Sequence, residues 1–157
     1  MSAAFSEGAR KELERLLSRY PDPHAAILPA LHLAQREFGH LTGETIRHLA
    51  GLLGCTEAYL QGVATFYTMY NRKPVGRYHL QICRNLSCSL MGAESLIEHV
   101  SAKIGVRPGE TTPDGRFTLS TVECLGSCGT APVMQVNDDY YENLTEESID
   151  AILDGLR

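Results

Sequence analysis

Apolar residues recur at intervals of three and four through residues 6–70, a period that predicts four short helices. Ser6 is placed to cap the first, which carries Ala9, Leu13, Leu16, Leu17 and Tyr20 on one face and is closed by Pro21 and Pro23. The second runs from about Pro23 to Phe38 and presents Ile27, Leu28, Leu31, Ala34 and Phe38. Pro29 inside it predicts a kink or a shifted start, because its ring clashes with the preceding turn. Gly39 suits the left-handed position after its end. Thr42 caps a third helix with Ile46, Leu49 and Leu53, stopped by Gly54; Thr56 caps a fourth with Tyr59, Leu60 and Val63. Four such helices on short loops make a small antiparallel bundle. The run Phe66–Tyr70 reads as bundle core in preference to an interface patch.

The period then changes. Asn71–Gly76 is polar, with Pro and Gly, and marks a boundary between a helical domain at 1–72 and a second domain at 73–157. Strand signals lie at 77–83, 117–122 and 132–136, and Tyr140–Asn143 is expected to pair back across the turn Asn137–Asp139. A helix is expected from about Ser89 to Ile104, with Leu90, Ala93, Leu96, Ile97, Val100 and Ile104 on one side, ended by Gly105. Residues 106–116 are loop. Thr145 caps a last helix with Ile149, Ile152, Leu153 and Leu156. The order β-α-β-β-β-α requires a parallel crossover pair and an antiparallel hairpin. The class is α+β or α/β, a helical bundle followed by a mixed sheet of thioredoxin-like type.

Composition narrows the function. The 157 residues carry a net charge of −5, which argues against nucleic-acid backbone binding. Residues 1–73 hold eight Lys/Arg against seven Asp/Glu, and residues 74–157 hold six against twelve, so the second half is the acidic one. No apolar run is long enough for a membrane span, and the N-terminal stretch lacks the pattern of a secretory signal. Five cysteines, an odd number with no signal, point to a reducing compartment and away from a disulfide framework.

Four of the five cysteines fall in two short loops, each after a strand: Cys83-Arg-Asn-Leu-Ser-Cys88 and Cys124-Leu-Gly-Ser-Cys128. Strand-end loops on one sheet can bring four thiolates together, and their charge then calls for a metal. Structural zinc prefers two tight knuckles, and the spacings here are wider. A dithiol redox centre needs Cys-x-x-Cys, which is absent. A two-iron, two-sulfide cluster, with two thiolates per iron, fits the wider loops better, although the spacing differs from the plant-type pattern. Backbone N–H groups at Gly126 and Gly129 and hydroxyls of Ser87 and Ser127 are candidate donors to sulfur. Cys88, at the start of the 89–104 helix, would benefit from its dipole. Arg84 either faces the cluster or lies exposed. Cys55 reads as a buried, inert thiol. Histidines 24, 32, 40 and 48 are eight apart, a spacing that drifts around a helix, and they read as ordinary histidines.

These motifs are similar to a known family. Cys83-x4-Cys88 and Cys124-x3-Cys128 with Ala131-Pro132 following resemble the NuoE family, the thioredoxin-like two-iron ferredoxin subunits of the NADH-oxidising module of respiratory complex I (NADH:quinone oxidoreductase). Further blocks agree: Pro29–Gln35, Gly62–Met69, Gly109–Gly115 and Val136–Leu144. The resemblance runs from about Ser6 to Arg157. It implies one [2Fe-2S] cluster ligated by Cys83, Cys88, Cys124 and Cys128, and no catalytic residue on this chain. It implies docking on a NuoF-type subunit that binds NADH and FMN, with the large iron–sulfur subunit of the same module as a further partner. The flavin takes hydride from NADH and releases single electrons. The implied location is the cytoplasmic side of the bacterial inner membrane, peripheral through the complex. Relatives also serve as diaphorase subunits of NAD-linked hydrogenases and formate dehydrogenases. A zinc-stapled interaction module without redox role is the alternative from another class. The chain lacks a Gly-x-Gly-x-x-Gly after a strand, so it is not expected to bind NADH itself. Many relatives carry threonine where Arg84 stands.

Overall fold

A computed structural model describes residues 4–156; Arg157 and the first three residues of the N-terminal stretch lie outside the described residues. The chain divides into two compact units, Met1–Pro74 and Val75–Arg157.

The first unit holds α1 (Glu7–Leu17), α2 (Ile27–Phe38), α3 (Gly43–Leu53) and α4 (Glu57–Phe66). Three of the caps read from the sequence are made: Ser6, Thr42 and Thr56 accept from the backbone N–H of Ala9, Thr45 and Tyr59. Pro29 shifts the start of the second helix. Residues Pro23–Ala26 form one 3-10 turn, and α2 begins at Ile27, so Pro29 sits in the first turn, where no N–H is needed. Leu31, Leu49 and Leu60 are fully buried in the core of this unit. The aromatic run departs from the core reading. Tyr70 is buried and donates its hydroxyl to the Leu28 carbonyl at 2.9 Å, but Phe66 is 77% exposed, and Tyr67 and Met69 are exposed too. The reason is that α4 ends at Phe66, so the helical period no longer governs the residues after it. Cys55 is half-buried, and burial pushes its thiol up.

The second unit is a four-stranded mixed sheet in the order β2-β1-β3-β4, made by β1 (Tyr78–Cys83), β2 (Phe117–Val122), β3 (Met134–Val136) and β4 (Asp139–Tyr141). β1 and β2 run parallel with Leu80 opposite Leu119; β3 lies antiparallel to β1 with Ile82 opposite Met134. Period two sends Leu80, Ile82, Leu119, Met134 and Val136 to one core, where Leu96 and Val100 from one helix and Ile149 and Leu153 from another meet them. Gly76 donates its N–H to Thr118 Oγ1 at 2.6 Å, and a Cβ there would come within 2.8 Å of the Phe117 carbonyl carbon, so only glycine fits.

Two boundaries differ from the sequence reading. The hairpin turn is shorter, so β4 begins at Asp139 and stops at Tyr141, with Asn137 supplying a positive φ of 53°. The helix expected over 89–104 is two helices, α5 (Leu86–Leu90) and α6 (Ala93–Ile104), because Gly92 adopts φ +91° between them. The last helix, α7 (Glu146–Gly155), starts at Thr145 with a reciprocal capping box to Ser148.

Candidate metal centre

The register of the parallel pair fixes where the two cysteine loops begin. Cys83 is the last residue of β1 and stands opposite Val122, the last of β2, so both loops leave the same edge of the sheet. Backbone bonds extend this alignment past the strand ends: Arg84 N–H donates to Val122 O at 3.0 Å, and Cys83 N–H to Val133 O at 3.1 Å.

The first loop is short and turns straight into α5, with the Asn85 side chain accepting from Leu86 N–H. Cys88 is the third residue of this single turn. The expectation that it stands at the N-terminus of the long helix is therefore corrected: that helix starts five residues later, after Gly92, and its dipole is not aimed at Cys88. Cys83 and Cys88 are 3% and 2% exposed and pack with Ala93 and Val133. Burial pushes the Cys88 thiol up, helped by its hydrogen bond with Cys83 and by charge on Cys83 and Cys128; a bond from the Val133 backbone opposes this.

The second loop is built differently. Cys124 and Cys128 are exposed, and no residue from 123 to 131 is buried. Gly126, at φ +76°, aims its N–H at Cys124 Sγ from 3.3 Å. Cys128–Thr130 form one 3-10 turn. Ser127 does not offer its hydroxyl freely to sulfur: it hydrogen-bonds Thr130 Oγ1 at 2.7 Å and the Glu142 carboxylate. Thr130 Oγ1 also donates to Glu142 Oε1, at 2.6 Å. These hydroxyls, Ser127 first, hold the Glu142 carboxyl below the usual carboxylate range. Tyr140 donates its hydroxyl to Leu125 O at 3.1 Å, and Asn143 N–H donates to Thr130 O at 2.7 Å.

Contacts join the two loops. Cys83 Sγ lies 3.8 Å from the Glu123 carbonyl, and Arg84 Nε lies 3.6 Å from the Glu123 carboxylate. Arg84 is thus an exposed arginine in an ion pair across the loop bases. The four cysteines are free thiols, two from each loop. Among the described residues no three His, Cys, Asp or Glu side chains are gathered so as to hold one metal ion. A two-iron cluster asks only two thiolates of each iron and spans a wider space than one ion, so a donor set of two pairs on facing loops fits it. Cys55 lies in the other unit, packed against the helical core.

Sequence reasoning did not single out Thr130, Tyr140 or Glu142. No spacing rule could have done so, because each acts through the reversal of the chain at the β3–β4 hairpin.

Comparison with known proteins agrees with this geometry. Residues 13–157 match the family model of thioredoxin-like [2Fe-2S] ferredoxins. The second E-type subunit of the NADH-quinone oxidoreductase of Rhizobium meliloti (strain 1021) is 52% identical over 148 residues, covering 94% of this chain and 88% of that one. NADH-quinone oxidoreductase subunit 2 of Thermus thermophilus is 46% identical over 156 residues, covering 98% and 86%. Among solved structures, an NAD+-reducing [NiFe]-hydrogenase superposes with a TM-score of 0.72 at 24% identity, over 83% of this chain and 22% of that chain, a likeness of fold. With a strand-end pair of cysteine loops, a matched family model over nearly its whole length and relatives matched along most of their own length, the chain belongs to the thioredoxin-like [2Fe-2S] ferredoxin family, in its NuoE branch of NADH-quinone oxidoreductase subunits.

Proposed function

We propose that this chain is the electron-transfer subunit of an NADH:quinone oxidoreductase and that Cys83, Cys88, Cys124 and Cys128 ligate its [2Fe-2S] cluster. The observation that carries the ligand set is the delivery of two cysteine pairs to one edge of the sheet by adjacent parallel strands. The cluster, when bound, supplies one-electron chemistry, taking single electrons from a flavin that has received hydride. The chain's own residues do the rest. Cys83 and Cys88 provide a dry, apolar wall with Ala93 and Val133. Cys124 and Cys128 provide the exposed side, which suits an electron partner that approaches from outside.

The partner in this reading is a NuoF-type subunit that holds FMN and NADH, with the large iron–sulfur subunit of the same module beside it. Support comes from the apolar collar of α5: Leu86, Leu90 and Met91 are exposed around Cys88, an arrangement that favours cover by another protein. No helix among the described residues is long and apolar enough to cross a membrane. The location proposed is the cytoplasmic face of the bacterial inner membrane, reached through the complex.

The test is iron and acid-labile sulfide on anaerobically purified chain, with EPR before and after dithionite. About two irons and two sulfides per chain, with a signal only after reduction, are expected. Zinc in place of iron, and no signal, would overturn the reading.

A further inference from the structure

The loop that carries Cys124 and Cys128 contains no buried residue, so burial of apolar surface does not set its shape. Hydrogen bonds must, and most of them come from one short stretch after the hairpin. The Glu142 carboxylate accepts from the hydroxyls of Ser127 and Thr130, which themselves lie 2.7 Å apart. Ser127 is the residue directly before Cys128, and Thr130 closes the single 3-10 turn that Cys128 opens. One carboxylate therefore ties both ends of that turn. Hydrogen bonds to an ionised acceptor are stronger than neutral ones, and the loop offers no apolar substitute for them. The backbone bond from Asn143 to Thr130 O holds Glu142 over the turn.

We propose that Glu142 is a positioning residue for the two-iron centre: it fixes the loop bearing Cys124 and Cys128 through Ser127 and Thr130. This rests on the proposed ligand assignment. Glu142 touches neither cysteine; it acts through the residues between and after them. It also places a fixed negative charge behind the loop, and that charge disfavours the more negative, reduced cluster.

The two effects separate in two variants of the full holoprotein. E142A removes both the acceptor and the charge. It is expected to release iron to a chelator roughly 10-fold faster than wild type, the scale of losing an outer partner of a metal ligand, and to shift the EPR g values of the reduced state. E142Q keeps an oxygen that accepts from both hydroxyls but carries no charge. It is expected to release iron at close to the wild-type rate while its midpoint potential rises. Because Glu142 is exposed, both variants should keep the wild-type circular dichroism. If E142A retains the wild-type release rate and g values, the positioning role is overturned and the ligand assignment stands. If the wild-type chain shows no two-iron spectrum, the ligand assignment is overturned and the positioning role falls with it.

Discussion

Cys83 and Cys88 lie inside an apolar cluster with Ala93 and Val133, whereas Cys124 and Cys128 lie in a stretch, 123–131, without one buried residue. Both loops start from adjacent parallel strands at the same sheet edge. The first is held by packing and by the α5 turn; the second is held by hydrogen bonds to Gly126, Tyr140, Glu142 and Asn143. The pairs therefore differ in what they contribute. The buried pair is part of the folded core before any metal arrives. The exposed pair is shaped by polar contacts that water can compete for, and a cluster would order it further.

The largest expected effect breaks the pairing outright. Cys124→Ala removes one of four thiolates, and most of the iron and sulfide should be lost, as measured on protein purified without oxygen; full retention would refute the ligand set. Serine substitution then sharpens the contrast between loops. In the metal-free chain, Cys88→Ser buries a hydroxyl among apolar groups and should cost about 1–3 kcal/mol of unfolding free energy. Cys124→Ser changes an exposed atom and should stay within about 0.5 kcal/mol. Denaturant titration measures both, and equal costs would mean that the first loop is not core.

The potential is a finer probe. Arg84→Thr removes a positive charge at the base of the first loop, which should lower the midpoint potential, since a nearby cation favours the reduced cluster. The fall should be small, because Arg84 is exposed and already faces the Glu123 carboxylate. A redox titration that finds the potential unchanged or raised would remove Arg84 from the electrostatics of the site. The smallest effect belongs to Cys55→Ser. It should leave the cluster spectrum intact, and a bleached spectrum would mean that the fifth cysteine had been wrongly set aside.

Much of this architecture is legible in the sequence. The caps at Ser6, Thr42, Thr56 and Thr145 are local signals, because a side chain bonds a backbone N–H three residues on. The strands at Tyr78–Cys83 and Phe117–Val122 follow from alternation of apolar residues and end where the cysteines begin. Sequence and structure part where local period and tertiary setting differ. Leu90 and Ile104 fit one helical stripe on paper, yet Gly92 breaks the helix and leaves Leu90 78% exposed. Phe66 and Tyr67 continue the apolar pattern of α4, but the helix stops and they face outward.

The sequence by itself determined the element order, the two cysteine pairs and their placement after strands, since spacing, capping and period are properties of neighbouring residues. Only the tertiary structure decided that one pair is buried and the other exposed, that Arg84 meets Glu123, and that Glu142 reaches back to Ser127 and Thr130. Those outcomes depend on which strands become neighbours and where the hairpin reverses, and no local signal carries the distance between residues that meet only when the sheet closes.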